Sequence, residues 1–341
     1  MPDTVTTMTR IRTSTRVVVL TTGGTIASSP DDSGRNRSGA LQGDVLMSQV
    51  SLPEGAAIDV EVRSLLQKPS NAITRDDLMS LRRECLALTE CSDVAGVVIT
   101  HGTDTLEETA YFLDITLPAS PTIVLTGSQR APHEPGTDAF RNIADAVMVA
   151  ASDKARGLGP LVVFNQSVFS ARQVRKVSSF QVNGFAAPEA GPLGYVDGAR
   201  VTIAMHPTRS VGLELPADAT LPRVDILPAY LDASPTLLEA AVAGGACGLV
   251  IDGLGRGHVP PDWLDVITRI TAQGTPVAIV SSCPSGPVHA SYEFVGSLAS
   301  LEAAGVIAVP DLSARKARLA LSVLLASANG EVGAQLRTLT A

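Results

Sequence analysis

Val17-Val18-Val19-Leu20-Thr21-Thr22-Gly23-Gly24-Thr25-Ile26 and Val97-Val98-Ile99-Thr100-His101-Gly102-Thr103-Asp104-Thr105 share one plan, an apolar run followed by a glycine-bearing turn rich in hydroxyls. A run apolar at every position reads as a strand buried on both faces, which belongs in a parallel sheet covered by helices. Both turns therefore fall where strands end. Ligands of open α/β sheets bind outside the carboxyl ends of the strands. Two threonine hydroxyls and the Asp104 carboxylate are thus expected at the rim of a site.

Outward from these turns, strand-like runs recur at 17–22, 58–65, 94–100, 121–127, 159–164, 224–230, 248–253, 276–282 and 305–309. Helical patterns lie between many of them, at 74–89, 105–117, 137–153, 235–245, 261–273 and 313–327. The alternation predicts an α/β fold throughout. Neither period is sustained over 203–222, which carries His206-Pro207 and Leu215-Pro216 and reads as a linker. The expected organisation is a tail over 1–16, an N-terminal domain over 17–202 and a C-terminal domain over 223–341. A chain of 341 residues is long for one core and comfortable for two.

Hydrophobic residues make up 45% of the chain and aromatics 4%, so the cores are aliphatic, as suits helices on a parallel sheet. A formal charge of −8 and the lack of a dense Lys/Arg cluster argue against a nucleic-acid partner. The longest apolar runs are strand-sized, too short for a membrane span. The first sixteen residues are rich in Thr and Arg, without the apolar centre of a signal peptide. A cytoplasmic location is expected. Cys85, Cys91, Cys247 and Cys283 show no zinc-ligand spacing and read as free thiols.

Thr25 carries a hydroxyl that becomes a nucleophile once a base takes its proton. Gly23 and Gly24 let the backbone turn sharply and let a ligand approach it. The alternative, a phosphate-binding turn, lacks a G-x-G-x-x-G or a Walker lysine. Thr103-Asp104 opens a helix. Thr105-Leu106-Glu107-Glu108 has the capping-box spacing, so Thr105 is expected to cap that helix, with the helix field keeping Asp104 ionised. Asp104 as a capping residue alone is the simpler reading. A threonine beside a carboxylate needs one proton-accepting group to form a relay. Lys154 could supply it, against the simpler reading of a solvated lysine at a helix C-terminus. Ser70-Asn71 precedes a helix and can donate to a carboxylate or form a cap. His101 reads as a hydrogen-bonded structural residue, since no second metal ligand lies at a useful spacing. The polar stretch 28–43, directly after Thr25, reads either as a lid or as a surface connection.

Thr-Gly-Gly-Thr-Ile-Ala at 22–27 and His-Gly-Thr-Asp-Thr-Leu-Glu-Glu-Thr-Ala-Tyr-Phe-Leu at 101–113 resemble the two signatures of the bacterial-type L-asparaginase (asparaginase/glutaminase) family. The likeness runs on through Leu125-Thr126-Gly127-Ser128-Gln129-Arg130, Ala151-Ser152-Asp153-Lys154, Gly191-Pro192-Leu193-Gly194-Tyr195, Gly253-Leu254-Gly255-Arg256-Gly257-His258 and Lys316-Ala317-Arg318. It implies a larger N-terminal α/β domain with a mainly parallel sheet flanked by helices, and a smaller C-terminal α/β domain with a parallel sheet. It implies hydrolysis of L-asparagine to L-aspartate and ammonia, without metal or organic cofactor. Thr25 falls on the nucleophile, and Thr103, Asp104 and Lys154 on the second catalytic group. Gly24, Ser70, Asn71, Thr103 and Asp104 fall on substrate-binding positions.

The resemblance also implies a homotetramer, a dimer of dimers with sites between subunits, to which His258 and Tyr292 would be partner-subunit contacts. Two departures stand out. Relatives carry a tyrosine in the loop after the nucleophile, whereas the tyrosines here are Tyr111, Tyr195, Tyr230 and Tyr292. His258 stands where relatives often have asparagine. Rival readings are an amidase preferring glutamine or D-asparagine, a catalytically weak asparagine-binding protein, and an amidotransferase subunit.

Overall fold

The computed structural model describes residues 15–31, 33, 35–207, 212–327 and 331–340. Most of the expected tail, residues 1–14, lies outside these, as do 208–211 of the expected linker. The chain begins with β1 (Thr15–Gly23), a short hairpin of β2 (Ser29–Pro30) and β3 (Asn36–Arg37), and α1 (Gly43–Met47). There follow β4 (Ile58–Lys68), α2 (Arg75–Thr89), β5 (Val94–Thr100), α3 (Leu106–Thr116), β6 (Thr122–Thr126) and α4 (Ala139–Ala150). The first half ends with β7 (Leu161–Phe164), β8 (Ser167–Ser170), β9 (Arg175–Lys176), β10 (Phe185–Ala186), β11 (Gly194–Asp197) and β12 (Arg200–Ile203).

Eight of these strands form one sheet in the order β12-β11-β8-β7-β6-β5-β1-β4. From β4 to β7 every pairing is parallel; β7–β8, β8–β11 and β11–β12 are antiparallel. The wholly apolar runs occupy its centre: Val17 to Leu20 and Val97 to Ile99 are all 0% exposed. Alternate residues of β1 feed opposite faces, Val18 and Leu20 with α2 and α3, Val17 and Val19 with α4. That is the period-2 geometry of a strand covered on both sides.

The second half holds β13 (Val224–Pro228), α5 (Thr236–Ala243), β14 (Gly248–Gly253), α6 (Trp263–Ala272), β15 (Val277–Ser281), α7 (Leu298–Ala303), β16 (Ile307–Ala308), α8 (Ala314–Ser327) and α9 (Val332–Leu339). Its four strands form a separate parallel sheet in chain order. Leu249 and Ile251 pack with α5 and α6 on one face, while Val250 and Val280 share a cluster with α8 and α3. Helix α8 is thus the layer through which the two halves meet. The fold is α/β with a large helix-flanked sheet and a separate parallel sheet, as the sequence predicts. Among the described residues, no helix is long and apolar enough to cross a membrane.

The sequence reading missed β8, β11 and β12. Asn165 and Gln166 both take positive φ, 46° and 66°, forming a two-residue hairpin turn between β7 and β8. That turn reverses the chain and adds an antiparallel flank to the parallel sheet. In the described part of the stretch after Thr25, Ser29 and Pro30 pair with Arg37 and Asn36.

Candidate active site

β1, β4, β5 and β6 run in one direction, so the segments after Gly23, Lys68, Thr100 and Thr126 emerge on the same rim. Glycines let these segments touch backbone to backbone. Gly24 has φ 86°, and a Cβ there would lie 2.4 Å from the Cα and N of Gly102. A Cβ on Gly102 would lie 2.8 Å from the Ser70 side chain. Gly23 has φ 104° and abuts the Lys68 carbonyl. Thr25, Ser70 and Thr103 therefore converge because Gly24 and Gly102, at the contacts between these turns, have no side chain.

Thr25 opens a single 3-10 turn, Thr25–Ala27, and is half-buried. Its neighbours are pinned: Thr22 Oγ1 donates to the Thr100 carbonyl at 3.0 Å, and Ser28 Oγ to the Gly24 carbonyl at 3.1 Å. Ser70 is buried and Asn71 is exposed at the rim. Thr105 occupies the N-cap position of α3, as expected, but not with a capping hydroxyl. Its hydroxyl makes no cap hydrogen bond; Oγ1 donates instead to the Ser70 carbonyl at 2.9 Å. That bond ties the Ser70 turn to the Thr103 turn.

Lys154 is not brought to Thr103. Its Nζ donates to the Val201 carbonyl of β12 at 2.9 Å. The turn Asp153–Ala155 precedes β7, so Lys154 sits at the amino ends of the parallel strands, the rim opposite the hydroxyls. The lysine at the site is Lys176, on β9. Its Nζ donates to Thr103 Oγ1 and to Asp104 Oδ1, both at 2.7 Å. The Lys176 side chain is 16% exposed and that of Asp104 70%. Thr103 is buried, so its hydroxyl meets an ammonium in a sheltered spot while Asp104 faces outward. Sequence reasoning missed Lys176 because it missed the β7–β8 reversal. The available signals were the Asn165-Gln166 pair between the apolar runs 161–164 and 168–169, and the basic pair Arg175-Lys176.

The surrounding groups hold this arrangement. His101 is buried, with Nδ1 2.8 Å from the Gly102 carbonyl and Nε2 3.0 Å from Thr109 Oγ1. Burial lowers its pKa, which favours the neutral ring in a structural role. Asp138 accepts the backbone N–H of Gln129 and of Arg130 at 3.0 Å, fixing the turn after β6. Gln129 Nε2 then donates to the Ser178 carbonyl at 2.9 Å, with Gln129 Oε1 3.4 Å from Thr103 Oγ1.

A cleft of about 620 Å³ borders the site at Asp104 and Lys176 and extends toward Asp252, Ser281 and Cys283 of the second half. Neither Thr25 nor Thr103 is among its lining residues, although Lys176, which meets Thr103, is. No group of three or more His, Cys, Asp or Glu among the described residues is arranged to hold a metal ion. His258 and Tyr292 lie elsewhere, in an aromatic cluster after β14. The ring centroids are 5.6 Å apart, and Phe294 lies 5.0 Å from His258.

A hydroxyl at a strand-end turn, beside a second hydroxyl bridged to a carboxylate by an ammonium, is equipment for acyl transfer through oxygen. Hydrolases that attack a carbonyl with a side-chain hydroxyl need a set of this kind. The asparaginase N-terminal family profile matches residues 16–209, and the glutaminase/asparaginase C-terminal domain profile matches 223–338. The chain belongs to the asparaginase family. It is 42% identical to an L-asparaginase of Bacillus licheniformis over 312 residues, covering 92% of this chain and 96% of that one. It is 33% identical to a probable periplasmic L-asparaginase of Haemophilus influenzae over 315 residues, 91% of this chain and 88% of the relative. The crystal structure of a probable cytoplasmic L-asparaginase from Campylobacter jejuni superposes with TM-score 0.86 at 28% identity, covering 96% of this chain and 99% of that one.

Proposed function

We propose that this protein hydrolyses the side-chain amide of L-asparagine to L-aspartate and ammonia. The observation that carries the reading is the Lys176 bridge between Thr103 Oγ1 and Asp104 Oδ1, on the rim where Gly24 and Gly102 bring Thr25 alongside. Thr25 Oγ1 attacks the amide carbon and its proton leaves with the amine as ammonia. Water then attacks the acyl-enzyme, releasing aspartate and returning the proton to Thr25. The reading gives Asp104, Ser70 and Asn71 the substrate α-amino and α-carboxylate groups. An ammonium donating to Thr103 Oγ1 stabilises negative charge on that oxygen, which suits Thr103 to activating the water of the second step.

The described part of the loop after Thr25 contains no tyrosine, which leaves another side chain of this chain, a bound water or a residue of the adjacent subunit as the base for the first step. The exposed aromatic cluster at Tyr292 supports a homotetramer in which one subunit's C-terminal half covers another's site. The two sheets support a division into domains over 17–202 and 223–341 joined by 203–222. A cytoplasmic location is favoured by the Campylobacter neighbour's description, and the Haemophilus relative names the periplasm as the rival.

Ammonia release from L-asparagine, L-glutamine and D-asparagine tests the reading. A clear preference for L-asparagine is expected. Glutamine preference would move the assignment within the family, and no release from any amide would overturn it.

A further inference from the structure

Helix α8 begins Ala314-Arg315-Lys316-Ala317-Arg318. Its first turn holds no acidic residue, so nothing in that turn offsets these cations at the positive end of the helix dipole. All three reach out to the first half of the chain. Arg315 Nη1 donates to the Asp104 carbonyl at 3.2 Å, and Arg318 Nη2 to the Glu108 carboxylate at 2.8 Å. Lys316 is 1% exposed, and its Nζ donates to the carbonyls of Ala171, Arg172 and Val174 at 2.9, 2.8 and 2.5 Å. An ammonium has three donors, and here all three are used on one turn of backbone. Burial pushes its pKa down to about 7, partly offset by the charge of Glu107. A buried cation at a helix N-terminus is costly, so its retention calls for a reason beyond packing.

The turn it gathers leads directly into β9. That strand has only two residues and pairs only with Phe185 and Ala186, too little to fix its own register. From the other side, the Lys176 backbone N–H donates to Glu107 Oε2 at 2.6 Å. Glu107 is 5% exposed and stands in the first turn of α3, just after Asp104. Neither Lys316 nor Glu107 hydrogen-bonds Thr25, the Thr103 hydroxyl or the Asp104 carboxylate. Both act on the backbone beside Lys176. Lys176 Nζ meets Thr103 Oγ1 and Asp104 Oδ1 at once, both at 2.7 Å, and holding both contacts together depends on where the β9 backbone sits.

We propose that Lys316 and Glu107 are positioning residues for Lys176: Lys316 gathers the three carbonyls upstream, Glu107 holds the amide, and together they deliver Lys176 Nζ to Thr103. The proposal rests on the hydrolase reading of the site. Its consequence is that the second half of the chain, through α8, sets the geometry of a relay carried entirely by the first half.

The test compares wild type with Lys316→Gln, Lys316→Arg and Glu107→Leu. The readouts are kcat and KM for L-asparagine, thermal midpoint, and amide hydrogen exchange over residues 171–178. In Lys316→Gln and Glu107→Leu, kcat is expected to fall tenfold or more, with KM changed less than threefold. Exchange over 171–178 should speed up in Lys316→Gln while peptides from β1 and β5 keep their protection. Lys316→Arg should recover part of the lost kcat. An unchanged kcat in folded Lys316→Gln, or a loss confined to the thermal midpoint with exchange altered evenly everywhere, overturns the proposal. If Lys316→Gln does not fold, Glu107→Leu decides: it keeps the volume and removes the acceptor, and wild-type kcat there overturns it. A wild-type protein inactive on every amide removes the hydrolase reading instead. The exchange measurement then still decides whether these side chains hold β9.

Discussion

At the residue scale, the chemistry turns on which hydroxyl attacks and which amine stands beside the other. Thr25 has no side-chain hydrogen bond among the described residues, whereas Thr103 Oγ1 accepts from Lys176. The free hydroxyl suits the nucleophile and the bridged one the relay. Thr25→Ala is expected to lower kcat by about a thousandfold or more. Its unfolding midpoint should move by no more than about 4 °C, because the change breaks no side-chain hydrogen bond among the described residues and keeps a small residue at a half-buried position. Purified Thr25→Ala with near-wild-type turnover would remove it from the mechanism. Lys176→Met and Asp104→Ala should each cost roughly a hundredfold or more in kcat, with the double variant little worse than the poorer single. Lys154→Met should stay within about threefold of wild type, since its ammonium serves Val201 at the far rim. A double-mutant cycle with fully additive losses, or a dead Lys154→Met, would argue against this assignment.

At the scale of elements, the rim works because glycines and caps place the turns. Gly24 has φ 86° and ψ −174°, a conformation kept almost wholly to glycine, and meets Gly102 backbone. Gly24→Ala should destabilise by about 3 kcal/mol or more, by urea unfolding, and abolish turnover with it. Helix α2 offers a milder check. Thr74 and Asp77 form a reciprocal capping box, and Lys68 donates to Asp77 at 2.8 Å. Burial works to raise the Asp77 pKa, but Lys68 and the Thr74 amide and hydroxyl outweigh it and hold the carboxyl below its usual range. A carboxylate depressed in the fold contributes stability above its unfolded pKa and loses it as pH falls through the folded one. Thr74→Ala should thus cost about 1 kcal/mol near neutrality, with the difference from wild type shrinking below about pH 4; a constant difference down to pH 2 would refute the cap. The central strands β1 and β5, which end at the Gly24 and Gly102 turns, were legible in the sequence because burial on both faces leaves an unbroken apolar run. Lys176 was not legible. Its strand is two residues long and lacks a period. Its placement depends on Glu107 and Lys316, 69 and 140 positions away in the chain. Lys154 matched the expected pattern locally, and only the direction of β7 shows it at the wrong end of the sheet.

At the scale of the whole molecule, the unexplained surface is the one around His258. Tyr292, Phe294, Val295 and Leu254 are 55%, 49%, 57% and 38% exposed, clustered on one side of the second sheet. A contiguous apolar patch of this kind marks an interface more often than a monomer surface. The His258 Nδ1 is buried without a hydrogen-bond partner, and burial lowers its pKa. A neutral imidazole amid exposed rings is suited to a contact that another chain completes. If a second copy covers this patch and lends Tyr292 to the neighbouring Thr25, assembly and turnover must rise together. Sedimentation should show a tetramer at micromolar concentration. Phe294→Glu, which puts a charge into the covered patch, should yield smaller species with kcat down by about tenfold or more. Tyr292→Phe removes only the hydroxyl. It should leave the tetramer intact and lower kcat more than it raises KM, the pattern of a group used in the transition state. A fully active monomer would end the shared-site idea. A tetrameric Tyr292→Phe with wild-type kcat would leave water as the base for Thr25.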